Sequence, residues 1–455
     1  MKKILSICLA VFCCFSAQIA AQIPTNILVQ ISRAEDELRF DKTLEDLMKS
    51  KDPKIRARAA LASGRIGKEA AIPALINLLE KDADAKVRSM AAFALGEIES
   101  IKGANRILTI LQNTKNDDEL RARSVEAAGK IAAANAKDAK AKELGKAILD
   151  TLQFENNRGA RANRDVVLLG ITAVLRAKPE GGEAIAAKFL TNNDGRIRAD
   201  AANTLSRLRA KNANEQLRAM LLSDKDAVAR ANAARALGVA EDKDAFDILL
   251  TSALTDTDSR VRVSAIRSLG SLKDSKAADK LLTRAEILLT DYKKSEFANP
   301  VEKSELLEIA AALGRILPNS NNEKAVKFLN DLYRLDKYHS LEIAIGLAKV
   351  SPIGFANSIQ FIGDAVISDW QVLSSMVQGF AEFANLDEIK GKNKQIKQES
   401  VNSLRRVLDE ELKRRTINSP SKIVNAIPEV LRAYAAFKPN DLPQVLREYL
   451  KHKDV

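Results

Sequence analysis

One short pattern is rewritten several times along this chain, and an internal repeat restricts the possible folds more than any other feature. It opens with Asp, places an aliphatic residue and then Arg at the third and fourth positions on, runs through alanines and closes on Leu-Gly or an equivalent. The clearest copies are DAKVRSMAAFALG from Asp84, DAVARANAARALG from Asp226 and DSRVRVSAIRSLG from Asp258, and stretches from Asp52, Asp117 and Asp194 follow the same plan. The arginines fall at Arg56, Arg88, Arg121, Arg198, Arg230 and Arg262, with a weaker copy around Arg161. Their successive spacings are 32, 33, 40, 37, 32 and 32 residues. A unit of this length is one supersecondary element stacked on copies of itself.

Each unit reads as a helix pair. Asp as N-cap accepts hydrogen bonds from first-turn amides, worth about 1 kcal/mol. Behind Asp84, the residues Val87, Ala91, Leu95 and Ile98 fall at helical spacing and make one apolar stripe. A second helix is predicted over 71–80, with Pro73 in its first turn and Leu75, Ile76, Leu78 and Leu79 on its buried face. Two such helices cannot bury both apolar faces alone, whereas stacked copies can. The expected fold class is therefore all-α, a superhelical solenoid of antiparallel helix pairs. With aromatics at only 4% of the residues, composition also favours helices over sheets. Gly64, Gly96, Gly129, Gly238 and Gly270 close the first helices and are read as points of close helix approach, not as a phosphate loop.

This pattern resembles the HEAT repeat of the armadillo-type folds, in particular the short repeats of phycobilisome-lyase-like HEAT proteins, whose core looks like VRxxAAxALGxIG. The resemblance spans residues 52–275, about half of the chain. Beyond 276, LLEIAAALG (306–314) and YHSLEIAIG (338–346) keep the ending but lose the Asp and Arg. The expected organisation is a signal peptide at 1–21, a helical cap at 24–50, regular repeats over 51–275 and divergent helical repeats over 276–455. In the cap, Ile27, Ile31 and Leu38 share one helix, and Leu44 and Leu47 the next. The Lys-rich stretch 390–399 is expected to be a loop between long helices. A second resemblance lies in ISRAEDELRFD, from Ile31 to Asp41, which is similar to the N-terminal part of exported bacterial HEAT proteins that end in a cyclophilin-type peptidyl-prolyl isomerase domain. It implies an alternative in which this chain is the substrate-holding arm of a foldase whose catalytic domain lies beyond residue 455. The closing YLKHKDV, which reads like a join between repeats, leads to the same expectation.

Lys2 and Lys3, the apolar run from Ile4 to Phe15 and the small Ala20 and Ala21 have the layout of a secretory leader. The expected location is periplasmic or secreted, with no transmembrane segment in the mature chain. All three cysteines, Cys8, Cys13 and Cys14, lie in that leader, and the only histidines are His339 and His452. Thiolate chemistry and imidazole metal sites are therefore not expected, nor is a cofactor. HEAT-type deoxyhypusine hydroxylases are similar in outline but carry His-Glu pairs, and this sequence has no such dipeptide. Phycobilin lyases of the same repeat type act on cysteines inside the cell, a role that export argues against. P-loop, dinucleotide and serine-hydrolase signatures are absent. The formal charge of +12 biases the partner towards an acidic one. Nucleic acid is not the expected partner, because the leader and the scarcity of stacking aromatics weigh against it.

The pairs Asp52 and Arg56, Asp84 and Arg88, Asp117 and Arg121, Asp194 and Arg198, Asp226 and Arg230, and Asp258 and Arg262 recur at i,i+4. An exposed pair of that kind is worth only a few tenths of a kcal/mol. Their recurrence points instead to a structural ladder, in which each Arg also reaches the Asp of the neighbouring repeat and fixes the stacking register. The expected function is a non-enzymatic, exported scaffold for protein–protein interaction, holding a protein or peptide on its concave surface. Thirteen of the twenty aromatic residues follow position 276, so the contacts are expected there, at Tyr333, Tyr338, Trp370, Arg405, Arg406, Arg414 and Arg415.

Overall fold

The computed structural model describes residues 23–335, 341–351, 394–417 and 424–451, with positions 373, 374, 377, 381 and 384. Among these residues every regular element is a helix. The chain divides into two compact units, one ending at Thr204 and the other starting at Leu205.

The first unit opens with α1 (Thr25–Asp36) and α2 (Lys42–Leu47). Ile31, Ala34 and Leu44 from this pair form a cluster with Ala62 and Ile66 of the next helix. Leu38, expected on the first helix, lies beyond its end, exposed and at φ 47°. Helix pairs follow: α3 (Pro53–Ile66) with α4 (Ile72–Lys81), α5 (Ala85–Ile98) with α6 (Ala104–Gln112), α7 (Asp118–Ala134) with α8 (Ala139–Arg158), and α9 (Arg164–Ala177) with the short α10 (Gly182–Ala187). Helix α11 (Gly195–Leu208) carries the boundary. The second unit continues with α12 (Asn214–Ser223), α13 (Ala227–Val239), α14 (Phe246–Thr255), α15 (Ser259–Leu272), α16 (Ala278–Lys294), α17 (Pro300–Ile316), α18 (Glu323–Leu335) and α19 (Leu341–Val350). It ends with α20 (Lys394–Thr416), α21 (Ile427–Ala436) and α22 (Leu442–Leu450). Residues 394–399 thus belong to a helix and not to the expected lysine-rich loop.

Odd-numbered helices from α3 to α9 stack on one another in a first row, and so do α13, α15, α17 and α19 in the second unit; the even-numbered helices form a second row behind each. The first row is close because its contacts are small. An ideal Cβ on Gly96 would lie 2.7 Å from the Cα of Ala127, so only glycine lets α5 approach α7 this far. Val87, Ala91, Leu95 and Ile98 are buried, as their spacing indicates, and α4 buries Ile72, Leu75, Leu78 and Leu79 behind them. Each buried aliphatic side chain contributes roughly 1.5–3 kcal/mol by leaving water. Between rows the chain uses one recurring link, a left-handed residue and then a 3₁₀ turn. Glu99 at φ 57° precedes Ile101–Gly103, and Lys273 at φ 57° precedes Ser275–Ala277.

Arg161 is not a further copy of the repeated arginine. It sits exposed in the turn Gly159–Arg161, and the helix begins after Asn163, which caps Asp165 and Val166. Counting from that cap, Val167 occupies the arginine position. The longer spacing here comes from α8, which runs for 20 residues.

Candidate interaction surface

Every predicted aspartate caps its helix. Asp52, Asp84, Asp117, Asp194, Asp226 and Asp258 accept from first-turn amides at 2.7–2.9 Å. At Arg56 and Arg230 the expected pairing shifts by two residues, to the aspartate that precedes the cap. Arg56 makes a bidentate pair with Asp82, both bonds 2.7 Å, and Arg230 does the same with Asp256 at 2.8 and 2.9 Å. The other side of each guanidinium donates to carbonyls before its own helix, as Arg56 does to Ser50 at 2.8 Å and Arg230 to Asp224 at 2.8 Å. Burial pushes the Asp256 carboxyl up, but the bonds from Arg230 outweigh it and hold it below its ordinary range; Asp82 behaves likewise under Arg56.

Where a neighbour lacks that aspartate, the ladder changes partner. Lys115 stands two residues before the Asp117 cap, and Arg88 comes only within 3.8 Å of Asp117 itself. Arg121, 2% exposed, turns to the fully buried Glu155 at 2.8 Å and lies 4.8 Å above the Phe154 ring. Arg198 is a different case, since the next repeat does carry the aspartate as Asp224; it closes its own turn by donating to the Asn192 and Asn193 carbonyls at 2.8 and 3.1 Å. Arg262 pairs at 2.9 Å with Glu305, also fully buried, which accepts from Arg284 as well. These contacts make the arginines stacking devices.

The first row leaves one further face unused by packing. Counting from each cap as zero, it carries positions 6, 9 and 13: Arg58, Leu61 and Arg65 on α3, Met90, Phe93 and Glu97 on α5, and Arg123, Glu126 and Lys130 on α7. Leu61, Met90 and Phe93 are half-buried where a fully solvated face would carry polar residues. Phe93 is held from the next repeat by cations: Lys130 Nζ lies 4.3 Å from its ring centroid and the Arg123 guanidinium 5.4 Å. Lys130 in turn bridges Glu97 and Glu126, and Arg123 donates to Glu126 at 2.9 Å. At the edge of the face Arg58 donates to Glu35 at 3.0 and 2.5 Å. Burial raises the Glu35 carboxyl, but the Arg58 bonds and charge bring it below its usual range. Anchored aromatic and thioether surface ringed by arginine and lysine suits contact with another protein. In the second unit positions 6 and 9 are polar, with Asn232 and Arg235 on α13 and Ser264 and Arg267 on α15, while position 13 is the exposed Val239 on α13 and Ser271 on α15.

Of the residues expected as partner contacts, Tyr338 and Trp370 lie outside the described residues. Tyr333 is half-buried on α18, while on α20 Arg406 is exposed and Arg414 half-buried. Arg405 and Arg415 are paired within the chain. Arg405 joins Asp409 to Asp441, both at 2.8 Å, and Arg415 pairs with the buried Glu411 and lies over the Tyr449 ring at 5.3 Å. The aromatics beside them are core: Tyr434 and Tyr449 are buried, donating to Asp441 at 2.6 Å and to the Leu408 carbonyl at 2.7 Å. Burial and the Asp441 bond push the Tyr434 phenol up to about 12. Among the described residues no cluster of His, Cys, Asp and Glu is placed to hold a metal ion, and no helix is long and apolar enough to cross a membrane.

A family model for HEAT repeats matches residues 41–129, 72–151 and 214–287. No match was found among curated proteins. Among solved structures, Kap95p in its complex with RanGDP is similar at 12% identity and a TM-score of 0.54, over 96% of this chain and 65% of that one. Importin beta crystallised in ammonium sulfate is similar at 11% identity and a TM-score of 0.51, over 90% and 65%. YibA of Escherichia coli shares 18% identity over 64% of this chain and 98% of its own, with a TM-score of 0.46. The stacked helix pairs, their arginine ladder and the matching family model agree, and the chain is a HEAT-repeat helical solenoid.

Proposed function

We propose that this solenoid is an exported, non-enzymatic interaction platform that holds a protein or peptide partner on the first-row face, taken as its concave side. The observation that carries the reading is the half-exposed Phe93, fixed between Arg123 and Lys130 and continued by Met90 and Leu61. A rigid aromatic whose neighbours are already paired loses little conformational freedom on binding, which is what an interface anchor requires. Kap95p, a solenoid of similar fold, binds RanGDP, so stacked repeats of this kind accommodate a protein ligand. Export rests on the composition of residues 1–21; an intact N-terminus on the purified native protein, read by mass spectrometry, would remove that part of the proposal.

The test is pull-down from envelope extract with the full mature chain and its Phe93→Ala variant. Phe93 is only half-buried, so the variant is expected to keep the helical circular dichroism of the parent while losing its captured partner about tenfold or more. Undiminished capture by a folded Phe93→Ala protein would overturn the assignment of this face.

A further inference from the structure

Ion pairs on the first-row face run from repeat to repeat. Lys130 lies between Glu97 and Glu126. Glu308 of α17 accepts from Arg267 of α15 at 3.1 and 2.5 Å and from Arg315 at 3.2 Å. One repeat before Arg267, at the equivalent position of α13, stands Arg235. Its guanidinium donates only to neutral oxygens, Ser264 Oγ at 3.2 Å and Asn232 Oδ1 at 3.1 Å, and among the described residues no carboxylate forms an ion pair with it. Burial by the neighbouring repeat lowers its pKa from the usual guanidinium value, and the charge of Arg267 adds to that. The side chain nevertheless keeps an exposed surface. Arg235 is exposed, so an anion arriving from solvent can reach its guanidinium without displacing a resident carboxylate from it.

We propose that Arg235 and Arg267 together clamp a carboxylate of the partner, an aspartate or glutamate side chain in an exposed acidic segment. This rests on the first-row face of the second unit, taken by itself, serving for docking as proposed for the first, and names the chemistry of what docks there. The carboxylate would take the place between two arginines that Glu308 takes between Arg267 and Arg315. Arg235, Arg267 and Arg315 against Glu308 leave two positive charges, so the site stays cationic until an anion arrives. A phosphate would bring further oxygens, but the Ser264 hydroxyl already donates its proton to the Arg260 carbonyl at 2.7 Å and offers them nothing. The net basic character of the chain fits an acidic partner segment as well.

The experiment uses the full mature chain and fluorescein-labelled octaglutamate, read by fluorescence anisotropy. Binding is expected to weaken about tenfold in Arg235→Gln, which removes one charge-assisted pair, and further in Arg235→Glu. Lys243→Glu, on an exposed turn behind α13, alters net charge as much as Arg235→Glu and should leave binding within about twofold. Arg235→Glu should melt no lower than the parent, because the new carboxylate faces Arg267. Unchanged binding in Arg235→Gln, equal weakening by Lys243→Glu, or displacement of the peptide by inorganic phosphate beyond the effect of chloride at equal ionic strength would each overturn the inference. Because this assay uses a defined peptide, it fails independently of the Phe93→Ala pull-down, which tests the docking face itself.

Discussion

At the scale of single residues, Arg56 and Arg230 each do two things at once, closing the turn before their own helix and gripping the turn before the next. Lysine has one point of charge and cannot do both. Arg230→Lys should therefore lower stability by about 1–3 kcal/mol, measured as an earlier urea midpoint, whereas the exposed Lys243→Gln should move it little. An unmoved midpoint in Arg230→Lys would contradict the ladder. Acid sensitivity follows from the same geometry. The Arg260 bonds outweigh burial and lower the Asp258 carboxyl to about 2. A depressed folded-state value stabilises the fold fully above the unfolded value, about pH 4, and that part is lost as pH falls through about 2. Asp258→Asn keeps a capping oxygen but cannot titrate, so its stability should fall less than the parent's between about pH 4 and 2. The capping aspartates were legible in the sequence because a cap and the amides it serves are two or three residues apart. The ladder acceptors were not, since Arg56 and Asp82 meet across 26 residues. A signal did exist in the doublets Asp82-x-Asp84, Asp224-x-Asp226 and Asp256-x-Asp258.

At the scale of helices, two local features govern how one repeat meets the next. Gly96→Ala would place a methyl 2.7 Å from the Ala127 Cα, so α5 and α7 must separate, at a cost of about 1–3 kcal/mol. Lys273 ends α15 in the left-handed region at φ 57°, where glycine is favoured over a residue that carries a Cβ by about 1 kcal/mol. Lys273→Gly is expected to raise the unfolding midpoint as Gly96→Ala lowers it; a shift in the same direction for both would contradict this reading of the two sites. Helix periodicity made both rows readable, because alanine and leucine recur at 3.6-residue spacing whatever the partner. The contact surface was harder to read. Aromatic richness after 276 suggested exposure, yet Tyr434, Phe437 and Tyr449 fill the core, as aromatics usually do. Phe93 lies inside a regular repeat with nothing in the sequence to single it out, and only the stacked neighbours reveal that position 9 from each cap faces outward.

At the scale of the whole molecule, stability in a stack of repeats is spread over nearest-neighbour interfaces, and the outward face of the first row is left free for recognition. That division of labour is the central claim. Its most direct test places the photo-crosslinker p-benzoylphenylalanine at position 93 on α5, or at position 106 on the second-row helix α6, in the full chain expressed in its native host. Adducts with a partner protein are expected from position 93 and not from 106. Adducts from 106 alone, or equally from both, would contradict it.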